Sequence, residues 1–385
     1  MTDRLIYLDN AATSYPKPPE VLEAMLRSYQ EIGVSPGRGS YDLAMQAGDA
    51  VDQARKNLAR FFDAPDPNRV IFAANATDAL NLVFNGLLRP GDHVVSTRLE
   101  HNSVLRPMHH FRERGWISFD LVPCNGQGFV DPDDIARSFR PNTRAVVVTH
   151  ASNVLGTIQP IQDIGRLCLE RGIPLIVDAS QSAGTIPVEM GASHVSAVAF
   201  TGHKALFGPT GTGGLVLHPD LDVQASRFGG TGIDSREPAQ TPTFPHRLEA
   251  GTLNLMGILG LSAGLDYIAQ KGLEAIHQHE MALLTRLRDG LAKLPHVELY
   301  CASTLADHVA VLTLNVDGIN PEDVGAILDA DFNIAVRVGL HCAPLTHQYL
   351  GTLHRGAVRF SPGLFNTPDD TEQAVEALAS LSARG

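Results

Sequence analysis

LIVDASQSAGTIPVEMGASHVSAVAFTGHK, residues 175–204, decides the reading of this chain. Leu175–Val177 and Ala197–Phe200 are unbroken apolar runs, and each gives way at once to polar residues. Asp178-Ala179-Ser180-Gln181 follows the first run, and Thr201-Gly202-His203-Lys204 follows the second. A strand that is apolar on both faces is covered on both sides, which is the mark of a parallel sheet between helices. Outward from this stretch, similar short runs recur at Val70–Phe72, Val94-Val95 and Ala145–Val148. Helix-like segments at Ala79–Leu87 and Ile161–Arg171 alternate with them. An α/β fold with a mainly parallel sheet is expected, with ligands at the carboxyl ends of its strands.

The texture changes after Met256. A long helical stretch, Ile258–Leu294, precedes a strand at Val309–Asn315, a helix at Pro321–Asp331 and a strand at Ala335–Val338. An amphipathic helix, Thr367–Leu381, follows. The expected organisation is a large domain over residues 15–255 and a smaller α+β domain over 256–385, with residues 1–14 folding back on the latter. Between them Arg227–Arg247 is rich in Gly, Thr and Pro, and so long a loop in a compact chain is expected to be functional or mobile.

Composition removes several function classes. The 385 residues include 44% hydrophobic and 19% charged side chains, enough to build a core and too little charge for disorder. Thirty Lys and Arg against 42 Asp and Glu give a net charge of −12, and no basic run appears, so no nucleic-acid partner is expected. Cys124, Cys168, Cys301 and Cys342 are widely spaced, which suits neither a disulfide framework nor a zinc ribbon and fits a reducing cytoplasm. The first residues lack a secretory pattern and no apolar run reaches membrane length, so a soluble, cytoplasmic protein without a membrane partner is expected.

The chemistry is concentrated at the strand ends. Lys204 can form a Schiff base, and Asp178, closing another buried run, needs a cationic partner. An amine of that kind and a carboxylate for a pyridinium nitrogen are the two protein groups that pyridoxal 5'-phosphate requires. Its phosphate could rest where Ala73–Asp78 turns from a strand into a helix, on first-turn N–H groups near Ala76 and the Thr77 hydroxyl. Thr201 and His203 flank the lysine as further donors, and His101 could stack on a planar ring. His101, His109 and His110 lack the spacing of a helical zinc site, so no metal is expected. Gly208–Gly214 fits neither phosphate-loop nor dinucleotide patterns and reads as a tight turn. Cys342 follows a histidine, lies between Arg337 and Arg359 and precedes a proline; cationic neighbours favour its reactive thiolate. Arg359 suits the capture of a substrate carboxylate.

Together these segments resemble the cysteine desulfurase and selenocysteine lyase family, within the class V aminotransferases of fold-type-I pyridoxal-phosphate enzymes. The resemblance rests on LDNAAT (8–13), NATDALN (75–81), EHNS (100–103), HASNVLGT (150–157) and VDASQS (177–182). It continues through TGHK (201–204), RLEAGTLN (247–254), RVGLHCAP (337–344) and VRFSPGLFNT (358–367), in the family's order. It implies that Lys204 binds the cofactor covalently, Asp178 pairs with the ring nitrogen, Gln181 bonds the phenolic oxygen and His101 stacks on the ring. Ala76, Thr77, Thr201 and His203 would hold the phosphate. Thr252 would reach the phosphate of a neighbouring subunit, making a homodimer with shared sites. Asn153, Arg359, Ala12, Arg337 and His341 would surround the substrate, L-cysteine or L-selenocysteine, and Cys342 would accept its sulfur before a sulfur-acceptor protein takes it. Leu340-His341 stands where a histidine pair is common, and Ala76-Thr77 where a threonine pair is common. Transamination on the same cofactor, or a non-catalytic scaffold, are the alternatives.

Overall fold

The computed structural model describes residues 4–37, 39–233 and 236–381; Asp234 and Ser235, within the expected long loop, lie outside them. In chain order the first half contains β1 (Ile6–Tyr7), α1 (Pro19–Ile32), α2 (Asp42–Phe61), β2 (Val70–Ala73), α3 (Ala76–Leu87) and β3 (Asp92–Thr97). It continues with α4 (Asn102–Glu113), β4 (Ile117–Val122), α5 (Pro132–Arg137), β5 (Thr143–Thr149), α6 (Ile161–Glu170), β6 (Leu175–Asp178), β7 (Ala197–Thr201) and β8 (Gly213–Leu217). Then follow α7 (Leu255–Lys271), α8 (Leu273–Leu291), β9 (Val297–Tyr300), β10 (Leu312–Val316), α9 (Pro321–Phe332), β11 (Ile334–Ala335) and β12 (Arg337–Gly339). The last three are α10 (Pro344–Tyr349), β13 (Ala357–Phe360) and α11 (Pro368–Leu381).

A seven-stranded sheet with the order β2-β8-β7-β6-β5-β3-β4 forms the centre. Every residue of β6 and β7 is buried, as their apolar runs require. Two apolar layers cover the sheet, one including Val146, Val148, Val177 and Phe200, the other Val147, Ile176, Ala199 and Leu215. The sheet is parallel except at β8, which runs antiparallel to both β7 and β2. The reason is the short connection from β7: a parallel return needs a crossover long enough to hold a helix, and Gly202–Thr212 is not.

Two sequence readings change here. The glycine-rich stretch does turn at Gly208–Gly211, but Gly213 and Gly214 are the first residues of β8. A Cβ on Gly213 would lie 2.7 Å from the Asn75 Cα and from the Phe200 carbonyl oxygen, so glycine lets β8 pass directly beneath the start of α3. The long helical stretch is two helices, broken at Gly272, whose φ of +83° a side chain would resist.

A four-stranded antiparallel sheet, β12-β13-β10-β9, lies in the C-terminal part. The amino end joins it: β1 pairs in parallel with β11, and Asp9 bridges to Ser361. Ile6 and Leu8 enter the core of this part beside Leu312, Phe360 and Leu378. Helix α7, by contrast, contributes Leu261, Leu265, Tyr267 and Ile268 to the core of the large sheet. Residues 256–385 are therefore not one packing unit. Among the described residues no helix is long and apolar enough to cross a membrane.

Candidate functional site

The carboxyl ends of β2, β3, β5, β6 and β7 all open into one cavity of about 260 Å³. It brings together most of the residues singled out from the sequence: Lys204, Asp178, Gln181, His101, Ala76 and Thr77. Thr201, His203, Asn153 and Ala12 line it as well, and the C-terminal part supplies Arg337, His341 and Arg359. Two expected residues are elsewhere. Cys342 does not line this cavity, although its carbonyl accepts a hydrogen bond from Asn102 N (2.7 Å) beside His101. Thr252 faces a different cavity of about 450 Å³, next to the buried Arg55–Glu249 ion pair.

Asp178 ends β6 in a buried position where desolvation demands compensation. Its Oδ1 accepts from Ser180 N (3.0 Å) and Ser180 Oγ (2.5 Å), and its Oδ2 from Ser103 Oγ (3.3 Å). His101 caps α4: its Nδ1 accepts from Ser103 N at 3.0 Å, leaving Nε2 to carry the proton. Burial, helped by Lys204, Arg337 and Arg106, lowers its pKa against the pull of Asp178, so the ring is held neutral.

Lys204 follows β7 directly. Burial lowers its pKa to about 8, with Arg359 and Arg337 acting in the same direction and Asp178 opposing. Its backbone is clamped by the amino-terminal segment. Thr13 Oγ1 donates to the His203 carbonyl (2.9 Å), Ser14 Oγ to the Lys204 carbonyl (2.9 Å), and Lys17 Nζ to the His203 carbonyl (2.5 Å). Lys17 is itself lowered to about 8 by burial.

Arg359, only 2% exposed, lies on β13 opposite Arg337 of β12. Its NH2 donates to Asp9 Oδ1 (2.7 Å) and its NH1 to the Asn153 carbonyl (3.1 Å). The Asn153 side chain donates to the His341 carbonyl at 2.7 Å, so it holds the loop of Cys342. Gln181 Nε2 donates to the Ala11 carbonyl (3.0 Å) and keeps a second N–H for the cleft.

The cleft fits the pyridoxal phosphate expected from the sequence. Thr201 Oγ1 and His203 Nδ1 are buried without partners among the described residues, and both residues line the cavity. The first turn of α3 has N–H groups with no intrahelical acceptor, and its cap is the Asn75 side chain. Unspent donors at one end and a screened carboxylate at the other match a phosphate and a pyridinium nitrogen. Among the described residues no cluster of His, Cys, Asp or Glu could hold a metal ion.

Sequence reasoning passed over Asp9, Ser103, Ser180 and Lys17. Ser103, Ser180 and Asp9 stand inside the quoted motifs EHNS, VDASQS and LDNAAT, which was the available signal. Glu280 had no signal at all. It is a buried acid lining a smaller cavity of about 40 Å³ that it shares with Lys204 and Gln181, and burial raises its pKa from 4.5 to about 8. A group whose pKa is raised by folding supports the fold fully below its unfolded value, and that support is lost as pH climbs to the folded value. Glu280→Gln should therefore gain on the parent between about pH 4.5 and pH 8, by roughly 5 kcal/mol at most. Denaturant titrations at several pH values measure this, and a difference independent of pH would refute it.

The profile of the family Aminotransferase class-V matches residues 6–374. A Methanothermobacter thermautotrophicus protein named "Probable cysteine desulfurase" is 35% identical, over 99% of this chain and 95% of its own length. A "Cysteine desulfurase" of Salmonella agona is 32% identical, over 98% of this chain and 93% of its own length. Among solved structures, the apo cysteine desulfurase of Thermococcus onnurineus NA1 superposes with a TM-score of 0.93 at 33% identity, covering 99% of this chain and 95% of that one.

Proposed function

Because the chain belongs to the class V aminotransferase family, we propose that it is a pyridoxal-phosphate-dependent cysteine desulfurase, converting L-cysteine to L-alanine and leaving the sulfur on Cys342. The observation that carries this reading is the meeting of Lys204, Asp178, His101 and Arg359 in one cleft, with the loop of Cys342 bracketed to it through Asn153 and Asn102. Cysteine desulfurases at 32–35% identity over nearly the whole chain support it.

Lys204 and Asp178 would hold the cofactor at its reactive carbon and ring nitrogen, with Thr77, Thr201 and His203 on its phosphate. When bound, the cofactor supplies an electron sink for a substrate carbanion. The protein's own groups do the rest. Arg359, with Arg337 beside it, draws the substrate carboxylate into the cleft. Lys204, lowered to about 8, is far closer to its free base near neutral pH than an ordinary lysine and moves the proton at Cα. His101, held neutral by its surroundings with its proton on Nε2, can donate that proton to a reacting group. The Cys342 sulfur attacks the substrate sulfur, the Cβ–S bond breaks, and Cys342 is left as a persulfide while alanine departs. A second thiol then takes the sulfur by exchange. The chain works as a homodimer in this reading. Thr252, turned away from its own cleft, serves that of the neighbour.

The test is anaerobic incubation with L-cysteine and a reductant, with sulfide and alanine quantified together. Equal amounts from the parent and a loss of at least about 10³-fold in Cys342→Ser are expected. A second reading, transamination or cleavage of L-selenocysteine, draws on the position of Cys342 outside the cavity lining. No sulfide or alanine from L-cysteine with the parent, together with amino-group transfer or L-selenocysteine cleavage that survives Cys342→Ser, would favour that reading and overturn the first.

A further inference from the structure

The backbone that presents Cys342 is in an uncommon conformation. His341 and Cys342 have φ of +50° and +57°, two successive non-glycine residues in the left-handed region, just after Gly339 at +103°. Side chains resist that region, and such backbone persists only where its surroundings over-determine it. Three holds are visible at the loop itself. Asn153 Nδ2 donates to the His341 carbonyl (2.7 Å), Asn102 N to the Cys342 carbonyl (2.7 Å), and Ala343 N to the Leu340 carbonyl (2.9 Å).

A fourth hold runs away from the cleft. The His341 Nε2 lies 3.3 Å from the Arg337 carbonyl, and its Nδ1 lies 3.2 Å from His347 Nε2. His347 Nδ1 lies 2.8 Å from Thr352 Oγ1. A carbonyl can only accept, so His341 must carry its proton on Nε2. Its bare Nδ1 then accepts from His347 Nε2–H, and the bare Nδ1 of His347 accepts from the Thr352 hydroxyl. The Thr352 hydroxyl has a second, longer acceptor in the His347 carbonyl (3.4 Å), but the His341–Arg337 bond fixes the direction at both imidazoles. His347 is 0% and Thr352 1% exposed, and neither lines the cavity. Burying two imidazoles and a hydroxyl is unfavourable compared with an apolar core unless every polar atom is satisfied. Here they are satisfied in one arrangement only, which fixes the His341 ring against β12.

We propose that His347 and Thr352 are positioning residues for Cys342, locking the His341 ring in one orientation and thereby holding the thiol's loop in its strained backbone at the cleft. The inference rests on the role of Cys342 proposed above. It adds residues that touch neither substrate nor cofactor.

The experiment uses the cofactor-loaded protein and compares His347→Leu, His347→Gln and Thr352→Val. Leucine fills similar space but leaves His341 Nδ1 without a donor. The amide nitrogen of glutamine can stand in for Nε2–H. Hydrogen exchange, followed by mass spectrometry on peptides spanning Asn102 and residues 337–349, reports loop order without any turnover. Alanine formation from L-cysteine reports kcat and KM. In His347→Leu, exchange of the Asn102 and Ala343 amides should quicken at least tenfold. Its kcat should fall at least tenfold, with KM within twofold and cofactor content unchanged. His347→Gln should restore both to within threefold of the parent, and Thr352→Val should fall between. Parent-like exchange and kcat in His347→Leu would overturn the proposal. So would equal losses in the leucine and glutamine variants together with a lowered melting temperature, since His347 would then be core packing. Should the parent itself form no alanine, the desulfurase reading fails, and the exchange comparison alone decides the positioning role.

Discussion

Lys204→Ala is expected to abolish alanine formation from L-cysteine, with a loss of roughly 10⁴-fold or more. The size follows from the site. An ordinary lysine at pH 8 is almost wholly protonated, whereas one lowered from 10.5 to about 8 is close to half free base at that pH. The shift comes mainly from burial, with Arg337 and Arg359 adding to it, so no exposed lysine could substitute. Lys17, the nearest comparable amine, is committed to Ser14 Oγ (2.6 Å) and the His203 carbonyl. The variant should also lose the covalent cofactor bond while Asp178, Thr77 and Thr201 still bind the group reversibly. Dialysis should therefore strip the cofactor from Lys204→Ala and leave it on the parent. Turnover within tenfold of the parent would remove Lys204 from the chemistry altogether.

Arg359→Leu should be the next most severe change, and it should act twice. The substrate loses its carboxylate partner, so KM for L-cysteine should rise by about 10²-fold, consistent with loss of a charge-assisted bidentate contact. The fold loses the partner of Asp9, a carboxylate that Arg359 meets at 2.7 Å in the interior. Breaking one side of a buried pair costs about 3–5 kcal/mol, which should appear as a lower denaturation midpoint. Arg359→Lys separates the two effects. A lysine keeps the charge beside Asp9 but lacks the planar fork, so stability should largely return while KM stays high. Parent-like KM in both variants, measured by steady-state alanine formation, would show that the carboxylate binds elsewhere.

The groups legible in the sequence were those whose position follows from one strand. Asp178, Thr201 and Lys204 each end an apolar run, and a parallel sheet puts such ends on one rim. The antiparallel course of β8 was hidden because an apolar strand reads alike in either direction. The Asp9–Arg359 pair was hidden for another reason. It joins the two ends of the chain, and neither residue's neighbours in sequence announce the other. His347 was equally silent, since a histidine on a short helix has no periodic signature and gains its meaning only from His341 and Thr352. The resemblance implied a substrate role for Asn153; the residue lines the cavity, and one N–H of its amide donates to the His341 carbonyl, a tie to the Cys342 loop that no sequence pattern announced.

The pairing of β1 with β11 bears on how the protein is made. Ile6 is synthesised long before its strand partner Ile334. Until then the amino-terminal segment, which also clamps the Lys204 backbone and neutralises Arg359, has no edge on which to settle. Contacts so distant along the chain form late and close large loops. The central sheet, which closes with β8, can assemble earlier in synthesis, but a competent cleft can exist only once β11 to β13 have been made. Nascent chains stalled before residue 334 should accordingly fail to retain the cofactor, however well folded their first two hundred residues are.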